Sequence, residues 1–132
     1  MLSVRASRAG LHEITESVES WLAKTGIGEG LLTIFCRHTS ASLLIQENAA
    51  GAARRDLERY FERLAPVDAR YEHNDEGADD MPAHLRAALT QTTLTVPVAN
   101  GRMTLGTWQG IYLFEHRAAT PARDIALHVI GE

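Results

Sequence analysis

The sequence predicts an α+β fold: a two-layer antiparallel β-sandwich, jelly-roll-like, with two to three flanking helices. Three observations carry this expectation. About eight short segments show two-residue alternation or compact, partly β-branched apolar runs. Asn100-Gly101 lies between two of them and is the strongest short hairpin signal. Two or three further segments have helical spacing instead. The 132 residues read as one domain, 1–132, on the usual scale of roughly 100–200 residues per domain. A chain of this size buries about 70% of its unfolded surface, so a core forms without staples.

Leu2, Val4 and Ala6 alternate with polar residues and predict the first strand, with a second over 11–14. Thr15 suits a helix N-cap, Glu16 and Glu19 its first turn, and Val18, Trp21 and Leu22 one face, with Gly26 as the stop. The apolar run 31–35, after the 28–30 glycine cluster, predicts a buried strand. A further strand over 42–46 is separated from it by the polar knot Arg37-His38-Thr39-Ser40. Leu57, Tyr60, Phe61 and Leu64 predict a helix over 49–64 that Pro66 terminates. Residues 67–83 carry almost no apolar periodicity, and long polar loops inside compact domains tend to be functional or disordered. Pro82 suits the first turn of a short helix through Leu89. Leu94, Val96 and Val98 form one hairpin arm, and Met103 and Leu105 open the other. Pro97 places the first arm at an edge or bulge. A bend at 107–109 precedes a strand over 111–114, and Ile125, Leu127 and Val129 alternate in the last strand.

Thirteen basic against seventeen acidic residues give a net charge of −4, which argues against a protein devoted to neutralising nucleic-acid phosphates. The opening MLSVRASRAG lacks a signal-peptide run, and no stretch approaches the roughly 18 apolar residues of a membrane span. The single cysteine, Cys36, excludes an intramolecular disulfide framework and suits a reducing compartment. The expectation is a cytoplasmic globule with no nucleic-acid or membrane partner. GxSxG, P-loop and GxGxxG strings are absent, so triad hydrolases, Walker ATPases and Rossmann enzymes lack support.

The chemistry concentrates in the polar segment 71–84, which holds two of six histidines and five of seventeen acidic residues. Crowded carboxylates repel one another unless a cation, protons or solvent compensates. Neutral imidazole with carboxylate oxygen is a ligand set for zinc, manganese, iron or nickel. His84 follows Asp80 by four positions, one helical face if the short helix extends back that far, and His38 in the polar knot offers a third nitrogen. His12, His116 and His128 read as structural or surface residues, and Cys36 as a small core hydrophobe. Asn48 reads as an N-cap beside amides that also suit a phosphate. The hydroxyls of Thr39, Ser40 and Ser42 either close a turn or line an anion pocket. Trp108-Gln109 reads as packing or as a ligand contact. Arg117 and Arg123 either pair with Glu115 and Asp124 or supply charge to an anionic substrate.

The strings HTSASLLIQEN (38–48), YEHNDEGADDMPAH (71–84) and NGRMTLGTWQGIYLFEHR (100–117) resemble the diagnostic stretches of the YjbQ family, also labelled secondary thiamine-phosphate synthase. The resemblance runs through nearly the whole chain in order. It implies a β-sandwich-like α+β fold, a homotrimer, and a pocket of histidines and acids that holds a metal or an anion. His38, His73 and His84 match the family's histidines and are the expected metal ligands; Glu76 and Asp80 match its acidic, catalytic positions. Thr39, Ser40, Asn48, Trp108 and Gln109 match its polar motifs and are the expected substrate- or anion-binding residues. Ser40 replaces the commoner second threonine and keeps the hydroxyl. The implied function is a metal-dependent enzyme for small phosphorylated or pyrophosphorylated metabolites, using zinc or a similar divalent ion. The implied secondary reaction joins a hydroxymethylpyrimidine diphosphate to a thiazole phosphate. The alternatives are a metal-dependent hydrolase and a non-catalytic trimer that binds metal or metabolite.

Overall fold

A computed structural model describes residues 1–68 and 70–132. In chain order the elements are β1 (Leu2–Val4), β2 (Gly10–Glu13), α1 (Thr15–Ala23), β3 (Gly30–Cys36), β4 (Ala41–Glu47), α2 (Gly51–Leu64), α3 (Asp80–Leu89), β5 (Thr93–Ala99), β6 (Arg102–Met103), β7 (Gln109–Glu115) and β8 (Arg123–Gly131). The strands form two sheets, β1-β8-β3-β5-β6 and β2-β7-β4, with every pairing antiparallel. The α+β expectation holds, with three helices.

Alternation sorts the strands into faces. Leu32, Ile34 and Cys36 of β3, Leu94, Val96 and Val98 of β5, and Ile125 of β8 share one core with Leu43 of β4 and Ile111 and Leu113 of β7. Val18 and Leu22 of α1 belong to the same core. Behind the small sheet, Leu11, Tyr112 and Phe114 form a second cluster that Leu57 and Phe61 of α2 cover. Phe61 meets Phe114 edge-on, with ring centroids 5.2 Å apart. No residue of α2 is fully buried, so this helix is docked by few contacts. Phe61→Ala should therefore lower stability by about 1–3 kcal/mol, less than a central core truncation, read as a shifted urea midpoint at constant slope.

Several expectations need correction. The 31–35 strand is buried on one face only: Leu31 is 48% and Phe35 43% exposed. They lie on the outer face of the five-stranded sheet, beside Ile130 and Pro97, which pair with Leu31, and no helix covers that face among the described residues. Thr15 is the first helical residue, not the cap. Its hydroxyl accepts from Ile111 N at 2.9 Å and donates to Glu13 at 2.8 Å, tying α1 to β7. Asn48 does not cap α2, which starts at Gly51 after Ala50. The third helix begins at Asp80, so Pro82 is its third residue, where a missing N–H still costs nothing. Of the 67–83 loop, Ala69 lies outside the described residues. Leu105 is not in β6, because Thr104 N turns to donate to Pro97 O at 2.9 Å. That bond also explains Pro97: its nitrogen points to the same side as its carbonyl, away from β3, so the β3–β5 ladder loses nothing.

The topology fixes what is near what. The knot 37–40 carries the chain from one sheet to the other, and Ala41 pairs with Glu115. The 38–41 segment, the end of β7 and the start of β8 therefore lie at one end of the sandwich. Glu47 pairs with Gln109 at the other end of the same ladder. Six residues of strand separate the two ends by about 20 Å.

Candidate metal centre

A turn with Gly77 at φ +103° delivers the chain into α3, and Asp80 N donates to Gly77 O at 3.2 Å. A side chain at 77 would be strained in that backbone conformation and would crowd Asp79. Asp80 and His84 then lie one helical turn apart on α3, and His73 reaches them from the preceding loop. His73 Nε2 is 2.9 Å and His84 Nε2 3.1 Å from Asp80 Oδ2. One donor atom from each of the three residues lies within 4.8 Å of the others. Asp80 is buried, His84 partly exposed and His73 exposed, so the cluster opens to solvent on the His73 side.

Each member is held from behind. Arg117, just past β7, donates to Asp80 Oδ1 at 2.6 Å and to Glu76 O at 3.1 Å. Burial alone would raise the Asp80 carboxyl, but the hydrogen bond from His73 and the charges of His84, Arg117 and His73 outweigh it and hold it below the usual carboxylate range. His84 Nδ1 donates to the Thr39 carbonyl at 2.9 Å, which fixes the ring and its tautomer. The knot carrying Thr39 is itself anchored. Arg123 donates to Ser40 O at 3.0 Å and forms a two-pronged, buried pair with Glu115 at 2.8 and 2.6 Å. Arg117→Met should weaken binding of a divalent ion about 10–100-fold, as loss of such an outer partner typically does. Titration with Zn²⁺ checks this, and unchanged affinity would free Arg117 from the role.

The comparisons with known proteins agree with the sequence resemblance. Residues 1–132 match the family described as UPF0047 protein YjbQ-like. The chain belongs to the YjbQ family. It is 46% identical over 133 residues to UPF0047 protein sll1880 of Synechocystis, covering 100% of this chain and 90% of that protein. UPF0047 protein YjbQ of Escherichia coli O157:H7 is 42% identical over 132 residues, covering 99% and 96%. Among solved structures, an uncharacterized conserved YjbQ/UPF0047 protein from Clostridium acetobutylicum superposes with TM-score 0.89 at 29% identity, covering 98% of each chain. A YbjQ-like protein of unknown function from Sulfolobus solfataricus gives 0.91 at 28%, covering 99% and 94%.

The YjbQ-motif residues do not all converge. His73, His84 and Asp80 do. His38 is not part of the cluster: its Nε2 accepts from Asp124 N at 2.8 Å, which occupies the lone pair an ion would need. Glu76 is exposed and meets Arg117 through its carbonyl, not its carboxylate. Thr39 and Ser40 contribute carbonyls to His84 and Arg123, and the Thr39 side chain is exposed beside His84. Asn48, Trp108 and Gln109 sit at the opposite end of the β4–β7 ladder. There Asn48 donates to Glu13 and Gln109 O, Gln109 accepts from Gly106 N, and Trp108 is 64% exposed. Motif proximity in sequence misleads here because β4 runs the length of the sandwich. Of the remaining histidines, His12 lies in β2 and donates from Nε2 to Arg8 O at 2.7 Å, and His128 is exposed on β8. Cys36 is buried, which pushes its thiol up, as for a core residue. The partners that the sequence reading missed are Arg117 on Asp80 and the Thr39 carbonyl. Arg117's signal was its place two residues beyond a strand buried from Gly110 to Glu115, on the side that Glu115 continues inward.

Proposed function

We propose that the chain is a metal-dependent enzyme acting on small phosphorylated or pyrophosphorylated metabolites, with His73, Asp80 and His84 holding zinc or a similar divalent ion. One observation carries the reading. A carbonyl cannot donate, so the Thr39 bond puts a proton on His84 Nδ1, and in the neutral ring Nε2 carries a lone pair. That lone pair faces Asp80 Oδ2 across 3.1 Å. Two lone pairs repel at this distance unless a proton or a metal ion lies between them. Two imidazoles and a carboxylate make the three-ligand set of catalytic zinc, iron and manganese sites, which keep further positions open. When bound, such an ion supplies stabilisation of charge developing on a phosphoryl or departing diphosphate oxygen.

The chain's own residues divide the remaining work. Asp80 has both oxygens engaged and a lowered pKa, so it acts as a ligand and not as the acid–base group. Glu76, exposed on the adjoining loop, is the acid–base group. Arg70 and Tyr71 line a cleft with His73 and Met81, where a guanidinium meets a phosphate. Thiamine-phosphate synthesis is one reaction of this class and is assigned as a secondary activity. The bare outer face of the five-stranded sheet suits burial in a homotrimer.

The test is elemental analysis of the purified protein, followed by a panel of phosphate esters and diphosphates, with and without acceptor and ion. Ion-dependent product that requires an acceptor supports transfer. Product without an acceptor makes the chain a hydrolase. No turnover, with ligands that raise the melting temperature, makes it a binding protein and overturns the enzyme reading.

A further inference from the structure

A second cleft reaches the cluster from the other imidazole. It is lined by His38, Thr39, His84, Ala87, Ala88 and Thr92. Its inventory is unlike that of the Arg70 cleft: two alanines, two threonine hydroxyls and two imidazoles, with no acid, lysine or arginine. Arg37 appears only farther out, where the cleft continues past His38 and Thr92 toward Phe35. A phosphate seated beside His84 on this side would find no lysine or arginine in the lining, whereas a small uncharged group would lose little on leaving water.

The state of His38 follows from a single bond. Asp124 N can only donate, so His38 Nε2 must accept, and the imidazole is neutral with its proton on Nδ1. An imidazolium would have no lone pair for Asp124 N. Burial and the nearby Arg123 lower the His38 pKa, in keeping with this neutral form. No described residue accepts from Nδ1, and the atom is not buried, so this N–H is unpaired on a residue that lines the cleft. A fixed N–H donor beside an apolar wall discriminates strongly for a ligand that carries an acceptor, because a ligand without one leaves the donor unpaired.

We infer that this cleft receives an uncharged, hydrogen-bond-accepting part of the substrate, and that His38 recognises it through its Nδ1–H. His38 is thus a specificity residue and not a ligand of the ion. The word substrate rests on the enzyme reading above; the cleft and the tautomer do not.

The test therefore uses metal-free protein labelled with ¹⁵N-histidine and uniformly with ¹⁵N amides. Long-range ¹H–¹⁵N spectra should show His38 protonated on Nδ1. Nicotinamide, an uncharged heteroaromatic amide, should shift His38 Nδ1–H and the Thr92 amide, and inorganic phosphate should not. Binding should weaken about tenfold in His38→Phe and at least about threefold in Thr92→Val, since the described bond of Thr92 is made by its backbone carbonyl with Cys36 N and survives the change. An Nε2–H tautomer overturns the inference, as does a coordination shift at His38 on adding Zn²⁺. So does phosphate binding here in preference to nicotinamide, or neither probe shifting these signals. A chain that binds nicotinamide here but takes up no Zn²⁺ keeps the cleft and loses the enzyme reading.

Discussion

His84→Ala is expected to abolish metal retention in a chain that stays folded. The side chain is about a third exposed, and its only described hydrogen bonds are to Asp80 and the Thr39 carbonyl, so little packing is lost. Stability should fall by no more than about 1 kcal/mol. Affinity for Zn²⁺ should fall by more than about 100-fold, since loss of an outer partner alone costs up to that much. Asp80→Asn should have a comparable effect on the ion. Its amide oxygen can still accept from Arg117, so the charge on the cluster is removed with little change in shape. His38→Ala is the informative control: its Nε2 is committed to Asp124 N, and metal affinity should hold within about threefold. Titration calorimetry and elemental analysis, with circular dichroism to report folding, separate these outcomes. Undiminished metal in His84→Ala would remove the centre, and loss of metal in His38→Ala would return that histidine to the ligand set.

Much of this architecture was legible because it rests on periodicity. Leu94, Val96 and Val98 are buried where alternation put them, and Asn100-Gly101 makes the hairpin turn with φ of 52° and 76°, a conformation that Asn and Gly tolerate best. The polar segment was legible because carboxylates and imidazoles in one loop need a physical reason, and three of its residues do meet. What periodicity could not show was the facing of whole sheets. The 31–35 run looks buried by composition, but only Leu32 and Ile34 are, as is Cys36 after it, because no helix lies across the outer face of that sheet among the described residues. Nor does a motif string reveal the length of the strand inside it. Residues 38–48 read as one polar-flanked unit, but β4 places Thr39 and Asn48 at opposite ends of a ladder. The outer partners were invisible for a related reason: Arg117 and Arg123 could pair on the surface or inside, and only the register of Glu115 against Ala41 takes Glu115 and Arg123 into the interior.

Mild acid should destabilise the fold, with one buried histidine taking the largest share. His116 follows β7 and is only 2% exposed; its Nε2 bonds Ser42 Oγ at 2.9 Å, and Thr90 Oγ1 donates to that same hydroxyl at 2.5 Å. Its Nδ1 has no partner among the described residues. Protonation would thus create a buried cation with no acceptor, beside Arg86 and Arg123. Burial first, then those two charges, push its pKa from 6.5 down to about 3. The unfolded chain binds this proton near pH 6.5 and the folded chain does not until about pH 3. Between those values the unfolded state holds more protons, so stability falls as pH falls. The limiting slope is about 1.4 kcal/mol per pH unit, and the full loss is on the order of 5 kcal/mol. Carboxylates with lowered pKa, such as Asp80 and Glu58, act in the same direction as the pH falls through their unfolded values of 3.8 and 4.5, and His38, lowered by burial and Arg123, acts so below 6.5. The difference between the native sequence and a His116 variant from pH 6 to pH 5 therefore isolates His116. Urea unfolding across that range should show a steep decline for the native sequence and a shallower one, by roughly 1 kcal/mol per pH unit, for His116→Gln. Parallel profiles would mean that the buried ring takes up its proton without penalty, and that a water or a shifted carboxylate reaches Nδ1 when it does.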